Sequence, residues 1–324
     1  MRTEKSDKRL GILFLGGAKR ITMARYMAKA AEAYGFHTDF TSYELATDEP
    51  IAAISDVVVG LKWNDPAVVA DIERVVRERK IGILIPFVDG AIGIAATVAA
   101  RNPAIYCPSC NDRLAMQLFD KTMSAKLFAN AGLDIPATWC PGTDPVFPLI
   151  AKPRCGSASS GIRVVRSEAD LNALPDAGDY LIQEFIEGAD EYTVDCFVSM
   201  NGGSSMFSPR RRVATLGGEV IRTVTVDIPE LLQAARCAAD RLGLRGAFTI
   251  QYLHRGDRFL LMEINPRLGG GATASVAAGA DIPAMIIEDA CGLPVAPRKV
   301  LPGVTTVRCF QDVTFIDGHA HSNL

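Results

Sequence analysis

No apolar run in the 324 residues approaches the roughly 20 that span a bilayer, and Ala91 to Ala100 falls well short. A helical membrane protein is therefore excluded, and no membrane partner is expected. Charge of one sign is also missing: the net charge is −3 and the pI about 5.9, so no polyanion-binding face and no nucleic-acid partner are expected. Met1 to Lys8 is polar and charged, without the apolar centre of a signal peptide, so a cytoplasmic home is expected. Neither an internal repeat nor a low-complexity linker is present. The four histidines, His37, His254, His319 and His321, form no Ser-His-Asp or Cys-His pattern, and the last two lie in a polar tail. Eight cysteines are scattered through apolar segments, as buried reduced thiols are, rather than spaced as a disulfide framework. Cys107 and Cys110 are the only close pair; with no second pair at a suitable distance, a zinc knuckle is not expected.

What is present is enough apolar residue, 48%, to fill more than one core, and at this length two or three domains are expected. Leu10 to Gly17, a helical pattern over 22–34, then Phe36 to Ser42, Asp56 to Val59, an amphipathic stretch over 66–79 and Ile81 to Phe87 alternate as strand and helix. That order predicts βαβ units on a parallel sheet. Gly16-Gly17-Ala18-Lys19-Arg20 completes neither a P-loop nor a dinucleotide fingerprint; it reads as a tight βα turn, with anion binding by helix amides as the alternative. Asp89 stands where ligands meet parallel sheets, or caps a helix. One helix is expected over 112–131, ended by Gly132. After Gly142 strands dominate: 149–152, 162–166, 180–184, 191–199, 220–227, and a hairpin of 247–254 with 258–265, interrupted by helices over 168–174 and 229–242. This predicts an α+β unit.

Near its end the chain reads Phe259-Leu-Leu-Met-Glu263-Ile264-Asn265-Pro266-Arg267, followed by Gly269 to Gly271. Strand alternation would place Glu263, Asn265 and Arg267 on one face and Ile264 in packing. Carboxylate and amide oxygens suit a divalent metal, and a guanidinium suits the phosphate beside it; a half-buried edge strand is the plainer alternative. Lys152 ends a strand and is followed by a loop of small residues between Gly156 and Gly161. Such a loop folds backbone amides over phosphates, or is only a hairpin tip. Gln183 to Gly188 offers an extended edge to a base, with Glu191 placed for ribose hydroxyls, and Lys121 adds a cation on a helix. Arg210, Arg211, Arg212 and Arg222 gather on neighbouring segments. They either meet a carboxylate substrate or phosphate, or form a solvated hairpin with one arginine paired to Glu219.

Taken in order, Asp120-Lys121, Ile150-Ala151-Lys152-Pro153 with its glycine loop, Gln183 to Gly188, Glu191, Gln251 and Glu263 to Arg267 resemble the ATP-grasp superfamily, nearest the carbamoyl-phosphate synthase large-subunit branch. The resemblance implies an α/β N-terminal Rossmann-like (pre-ATP-grasp) domain over 1–108. A two-lobed α+β ATP-grasp fold would follow, its small lobe over 109–187 and its large lobe over 188–324. It further implies that Lys121 and Lys152 hold ATP phosphates under the loop containing Gly156, Ser157, Ser160 and Gly161. Glu184, Phe185 and Ile186 would contact adenine and Glu191 the ribose. Gln251, Glu263 and Asn265 would place Mg²⁺, two ions with Mn²⁺ able to replace them, and Arg267 would steady the transferring phosphoryl group, with Lys152, Arg212 and Arg222 as further catalytic cations. The activity implied is a ligase that makes an acylphosphate from a carboxylate, releases ADP, and passes the acyl group to an amine or similar nucleophile. The substrates would be small molecules and the assembly a homodimer. The chain has one ATP-grasp unit and not two, which argues against carbamoyl phosphate as the product; bicarbonate or carbamate phosphorylation stands only as an alternative, beside an ATP-binding regulatory module without turnover.

Overall fold

The computed structural model describes residues 8–156 and 161–321. The first part is a four-stranded parallel sheet in the order β3-β2-β1-β4, from β1 (Lys8–Leu15), β2 (Phe36–Glu44), β3 (Asp56–Val59) and β4 (Ile81–Pro86). Helix α1 (Ile21–Ala33) connects β1 to β2, α2 (Val68–Glu78) connects β3 to β4, and α3 (Asp89–Arg101) follows β4. β1 is buried on both faces, with Ile12 and Phe14 in one core and Leu13 and Leu15 in another, which is why it reads as a continuous apolar run. A parallel bridge from Ile83 to Tyr106 extends this sheet by one residue pair.

The helix expected over 112–131 is two, α4 (Asp112–Phe119) and α5 (Lys121–Asn130). Asp120 is the break. Its backbone is extended, and its side chain accepts from Thr122 N and Met123 N, an N-cap that restarts the helix. A three-stranded antiparallel sheet follows, with β5 (Leu149–Pro153) between β6 (Arg163–Val165) and β7 (Tyr180–Glu184); α6 (Glu168–Asn172) sits in the β6–β7 connection.

The larger sheet runs β12-β11-β8-β9-β10-β13. Its strands are β8 (Asp190–Val198), β9 (Ser205–Leu216), β10 (Glu219–Thr225), β11 (Gly246–Arg255), β12 (Arg258–Asn265) and β13 (Thr305–Val307). α7 (Pro229–Arg241) packs on one side of it through Leu231, Ala235 and Ala238, against Phe207, Phe248 and Ile250. α8 (Ala272–Ala277) and α9 (Ile282–Ala290) share a core with α1 and β1, so the C-terminal helices lie on the N-terminal sheet. β14 (Thr314–Ile316) and β15 (His319–His321) close as a small hairpin. No helix among the described residues is long and apolar enough to cross a membrane.

Buried polar bonds fix the seam between the two parts. Asp289 accepts from Tyr106 Oη and Ser199 Oγ, each at 2.7 Å, and Glu288 takes Tyr34 Oη and Arg298. Ser109 Oγ donates to Pro266 O at 2.9 Å, joining the end of the N-terminal unit to the turn after β12. Buried charge-assisted bonds of this kind are costly to leave half-made, so the seam holds one register. The Cys107 and Cys110 thiols beside it are buried, and burial pushes both up to about 12, which leaves them unreactive.

Candidate active site

The three sheets surround one cavity of about 810 Å³, near the upper end of the roughly 300–1,000 Å³ usual for ligand sites. Among the described residues seven cations and five carboxylates line it, although the chain as a whole is net negative. Lys152 lies on β5 and is 6% exposed; its Nζ donates to Gln183 Oε1 at 3.1 Å. Burial is the chief reason its pKa falls to about 8, with Lys121 adding to the fall and Glu263 and Glu191 opposing it. Lys121 opens α5 and reaches Gly156 O at 2.7 Å. Gly156 lines the cavity, and Gly161, at a φ of 74°, ends the glycine loop. Ser157 and Ser160 lie outside the described residues.

Glu184, Phe185 and Ile186 line the same cavity beside Leu181 and Met262. The Glu184 side chain is engaged with Ala137 N at 2.8 Å, and the N–H groups of Glu184 and Phe185 donate to Ala137 O and Pro148 O. Glu191 enters from β8, and its Oε2 stands 3.1 Å from Arg212 Nε. Gln251 and Glu263 face each other across the β11–β12 ladder, and Asn265 Nδ2 donates to Glu263 Oε1 at 2.6 Å. Ile264 points away, into the core under the large sheet.

Arg267 also lines the cavity, but not by strand alternation. β12 ends at Asn265, and a turn closed by Arg267 N to Asn265 O at 2.7 Å delivers the guanidinium, which is held by Asp89 Oδ1 at 2.5 Å. Asp89 is thus the first residue of α3 and an ion-pair partner, not a helix cap. Arg222 corrects a second expectation: it is exposed and outside the cavity, because a bulge between Val220 and Arg222 shifts the register of β10. Arg210 and Arg212, two apart on β9, do line the cavity, whereas Arg211 faces outward toward Asp190. Arg210 is buried on Asp195 at 2.7 Å. Glu219 pairs with none of these four arginines; its partner is Arg308 at 2.9 Å.

Two cavity residues carried no signal of their own in the sequence. Arg308, just beyond β13, is tied to β10 by its N–H to Ile221 O at 2.8 Å. Arg20 is delivered by the Gly16–Arg20 turn and lies over the Phe87 ring at 5.8 Å. The turn amides do not await an anion: Glu44 already takes the N–H groups of Gly17 and Ala18, with Ser42 Oγ at 2.5 Å. Burial, then Arg267 and Arg308, bring Arg20 down to about 10.

Residues 176–312 match the family described as ATP-grasp in the biosynthetic pathway with Ter operon. That stretch is similar to an ATP-grasp domain. Over 135 residues it is 26% identical to formate-dependent phosphoribosylglycinamide formyltransferase of a Nitratiruptor species, covering 37% of this chain and 34% of that protein, so it spans about a third of that relative. The fold is similar to the biotin carboxylase domain of Hydrogenobacter thermophilus 2-oxoglutarate carboxylase, a dimer solved with MgADP, ADP and bicarbonate. The TM-score is 0.69 at 15% identity, over 89% of this chain and 70% of that one. It is also similar to the L-amino acid ligase of Bacillus licheniformis, with a TM-score of 0.68 at 16% identity over 88% and 74% of the two chains. The likeness to carbamoyl-phosphate synthase expected from the ATP-grasp motifs is looser than these.

Among the described residues no group of three or more His, Cys, Asp or Glu side chains is placed to hold a metal ion. Among the oxygen donors on the cavity wall, the Glu263 carboxylate and the Gln251 and Asn265 amides sit together on β11 and β12. Such a set fits Mg²⁺, which takes one or two carboxylates and completes its shell with phosphate oxygens and water.

Proposed function

We propose that this ATP-grasp protein is a ligase that activates a carboxylate as an acylphosphate, with ADP released, and transfers the acyl group to an amine with loss of phosphate. The observation that carries the reading is the single cavity in which Lys121, Lys152, Glu191, Gln251, Glu263, Asn265 and Arg267 meet from different sheets. In this reading Lys121 and Lys152 take the ATP phosphates, Glu191 the ribose, and the Glu184–Ile186 segment the adenine through its carbonyls and the Ile186 amide. Bound Mg²⁺, one ion or two, with Mn²⁺ as a substitute, would neutralise the β- and γ-phosphates from Gln251, Glu263 and Asn265. Arg267 then faces the oxygens of the group in transfer, and Arg212, held on Glu191, adds charge nearby.

A substrate carboxylate oxygen bonds to the γ-phosphorus as the bond to the β–γ bridging oxygen breaks. The amine nitrogen next bonds to the carbonyl carbon, the carbon–oxygen bond to phosphate breaks, and the nitrogen loses a proton. No protein nucleophile is needed, because positioning and charge neutralisation lower the barrier. The N-terminal sheet serves as the pre-ATP-grasp domain, over 1–108, with lobes over 109–187 and 188–324. A homodimer belongs to the same reading and is checked by light scattering. Incubation with ATP, Mg²⁺ and pooled carboxylates and amines should give ADP with phosphate; AMP with pyrophosphate would overturn the acylphosphate route.

A further inference from the structure

Arg20 and Arg308 converge on the Gly269–Gly271 triplet, and Arg267 lines the same cavity close enough to Arg20 to lower its pKa. A Cβ built on Gly270 would stand 2.9 Å from Arg20 Nη1 and 3.6 Å from Arg308 Nη1, so two guanidiniums converge on one residue that has no side chain. A Cβ on Gly271 would stand 3.0 Å from Arg210 Nη2, which brings a fourth guanidinium to the same turn. Three of the four have a carboxylate: Arg267 has Asp89, Arg308 has Glu219 and Arg210 has Asp195. Arg20 has none within ion-pair distance among the described residues, and Arg210 Nη1 is buried without a hydrogen-bond partner. The group therefore carries an excess of positive charge in a partly buried place. Like charges held together in such a place are stabilised by a bound anion.

Arg267 alone would satisfy the carboxylate that is to be phosphorylated. Arg20 and Arg308 remain, both at Gly270, and they come from the turn after β1 and from just beyond β13. Nothing in the proposed nucleotide reading uses them. Planar guanidiniums in adjacent positions match the oxygens of carboxylate or phosphate. We propose that the acyl substrate is doubly anionic, with its reacting carboxylate beside Arg267 and a second oxyanion, carboxylate or phosphate, held by Arg20 and Arg308 across Gly270. This assignment rests on the ligase reading above. Glu219 is the internal anion that the second group shares or displaces: burial opposes its ionisation, but Arg308 and Arg20 overcome that and hold its carboxyl below the usual range.

The test is calorimetric binding in the presence of Mg²⁺ and a non-hydrolysable ATP analogue, with matched ligands: butyrate against succinate and glutarate, and glycerate against 3-phosphoglycerate. Doubly anionic ligands should bind at least about tenfold more tightly than their singly charged partners, since each adds charge-assisted bonds. Preference for the dicarboxylates assigns the second group as carboxylate, and preference for the phosphate ester assigns it as phosphate. Arg20→Gln or Arg308→Gln should erase most of that preference. Arg308, with 29% of its side chain exposed, is the variant to use if Arg20→Gln does not fold. Arg222→Gln, an equal change of net charge outside the cavity, should preserve it. If the analogue binds but the paired ligands bind equally, or none binds, the assignment is overturned; if the analogue itself fails to bind, the ligase reading falls instead.

Discussion

At the lysine end of the cavity the cations rest on neutral groups, Lys152 on the Gln183 amide and Lys121 on the Gly156 carbonyl, whereas at the arginine end Arg267 and Arg308 rest on Asp89 and Glu219. A neutral partner orients a cation without cancelling it, so the full charge stays available for a polyphosphate. The burial that accompanies this arrangement is what lowers Lys152. A carboxylate partner cancels most of the charge in advance, and an incoming anion must then share or displace it. The first end is thus suited to strong binding of one highly charged ligand. The second favours exchange among anions, with Arg20 as the cation left uncancelled.

The largest test of this contrast removes the carboxylate among the three proposed metal donors. Glu263→Gln keeps the shape and the strand but takes away the one charged group among the proposed donors Gln251, Glu263 and Asn265. Turnover, read as ADP release, should fall at least about a hundredfold, while the denaturation midpoint changes little. Because Glu263 supports the charge on Lys152, the same substitution should lower the lysine further. Turnover within about threefold of the parent would move the metal, and the comparison built on it, elsewhere.

The next test is pH. With Lys152 lowered to about 8, the free protein holds the charged lysine below that value and the neutral one above it. A polyphosphate binds the charged form, so above pH 8 binding must take up a proton, and ATP affinity should weaken by up to about tenfold per unit. Stability runs the other way. Between about 8 and the ordinary lysine value the unfolded chain carries one more proton than the folded one, so this group's contribution to stability without ligand rises with pH. Lys152→Met should flatten both slopes. A slope that persists in that variant assigns the titration to another group and removes the reason for contrasting the two ends.

The gathering of Lys152, Gln251, Glu263 and Asn265 in one cavity was legible in the sequence because these residues lie in short continuous segments whose spacing is set by strands. Lys152 beside its loop, and Glu263 with Asn265 opposite Gln251, needed only period-two alternation and one ladder. The arginine end was not legible in that way. Arg20 and Arg308 are 288 positions apart and meet only because α8 and α9 pack on α1. Arg222 was misplaced for a local reason, since one bulge in β10 turns an expected inward residue out. Asp120 split a helix whose apolar pattern ran straight through it, because capping overrode periodicity.

The smallest expected effects separate a yielding contact from a rigid one within the glycine triplet. A Cβ at Gly271 would meet Val220 Cγ1 at 2.6 Å and Arg210 Nη2 at 3.0 Å, and both residues are at least nine-tenths buried. Neither can withdraw, so Gly271→Ala should cost about 1–3 kcal/mol by overpacking, seen as a lower denaturation midpoint at unchanged slope. At Gly270 the nearest atom is Arg20 Nη1, the free end of a long side chain. Gly270→Ala should therefore change stability by only about 0.5 kcal/mol, yet push Arg20 off its position and raise the KM for the acyl substrate several-fold. If Gly270→Ala destabilised as much as Gly271→Ala, Arg20 would be clamped like Arg210, and the exchangeable character of the arginine end would have to be given up.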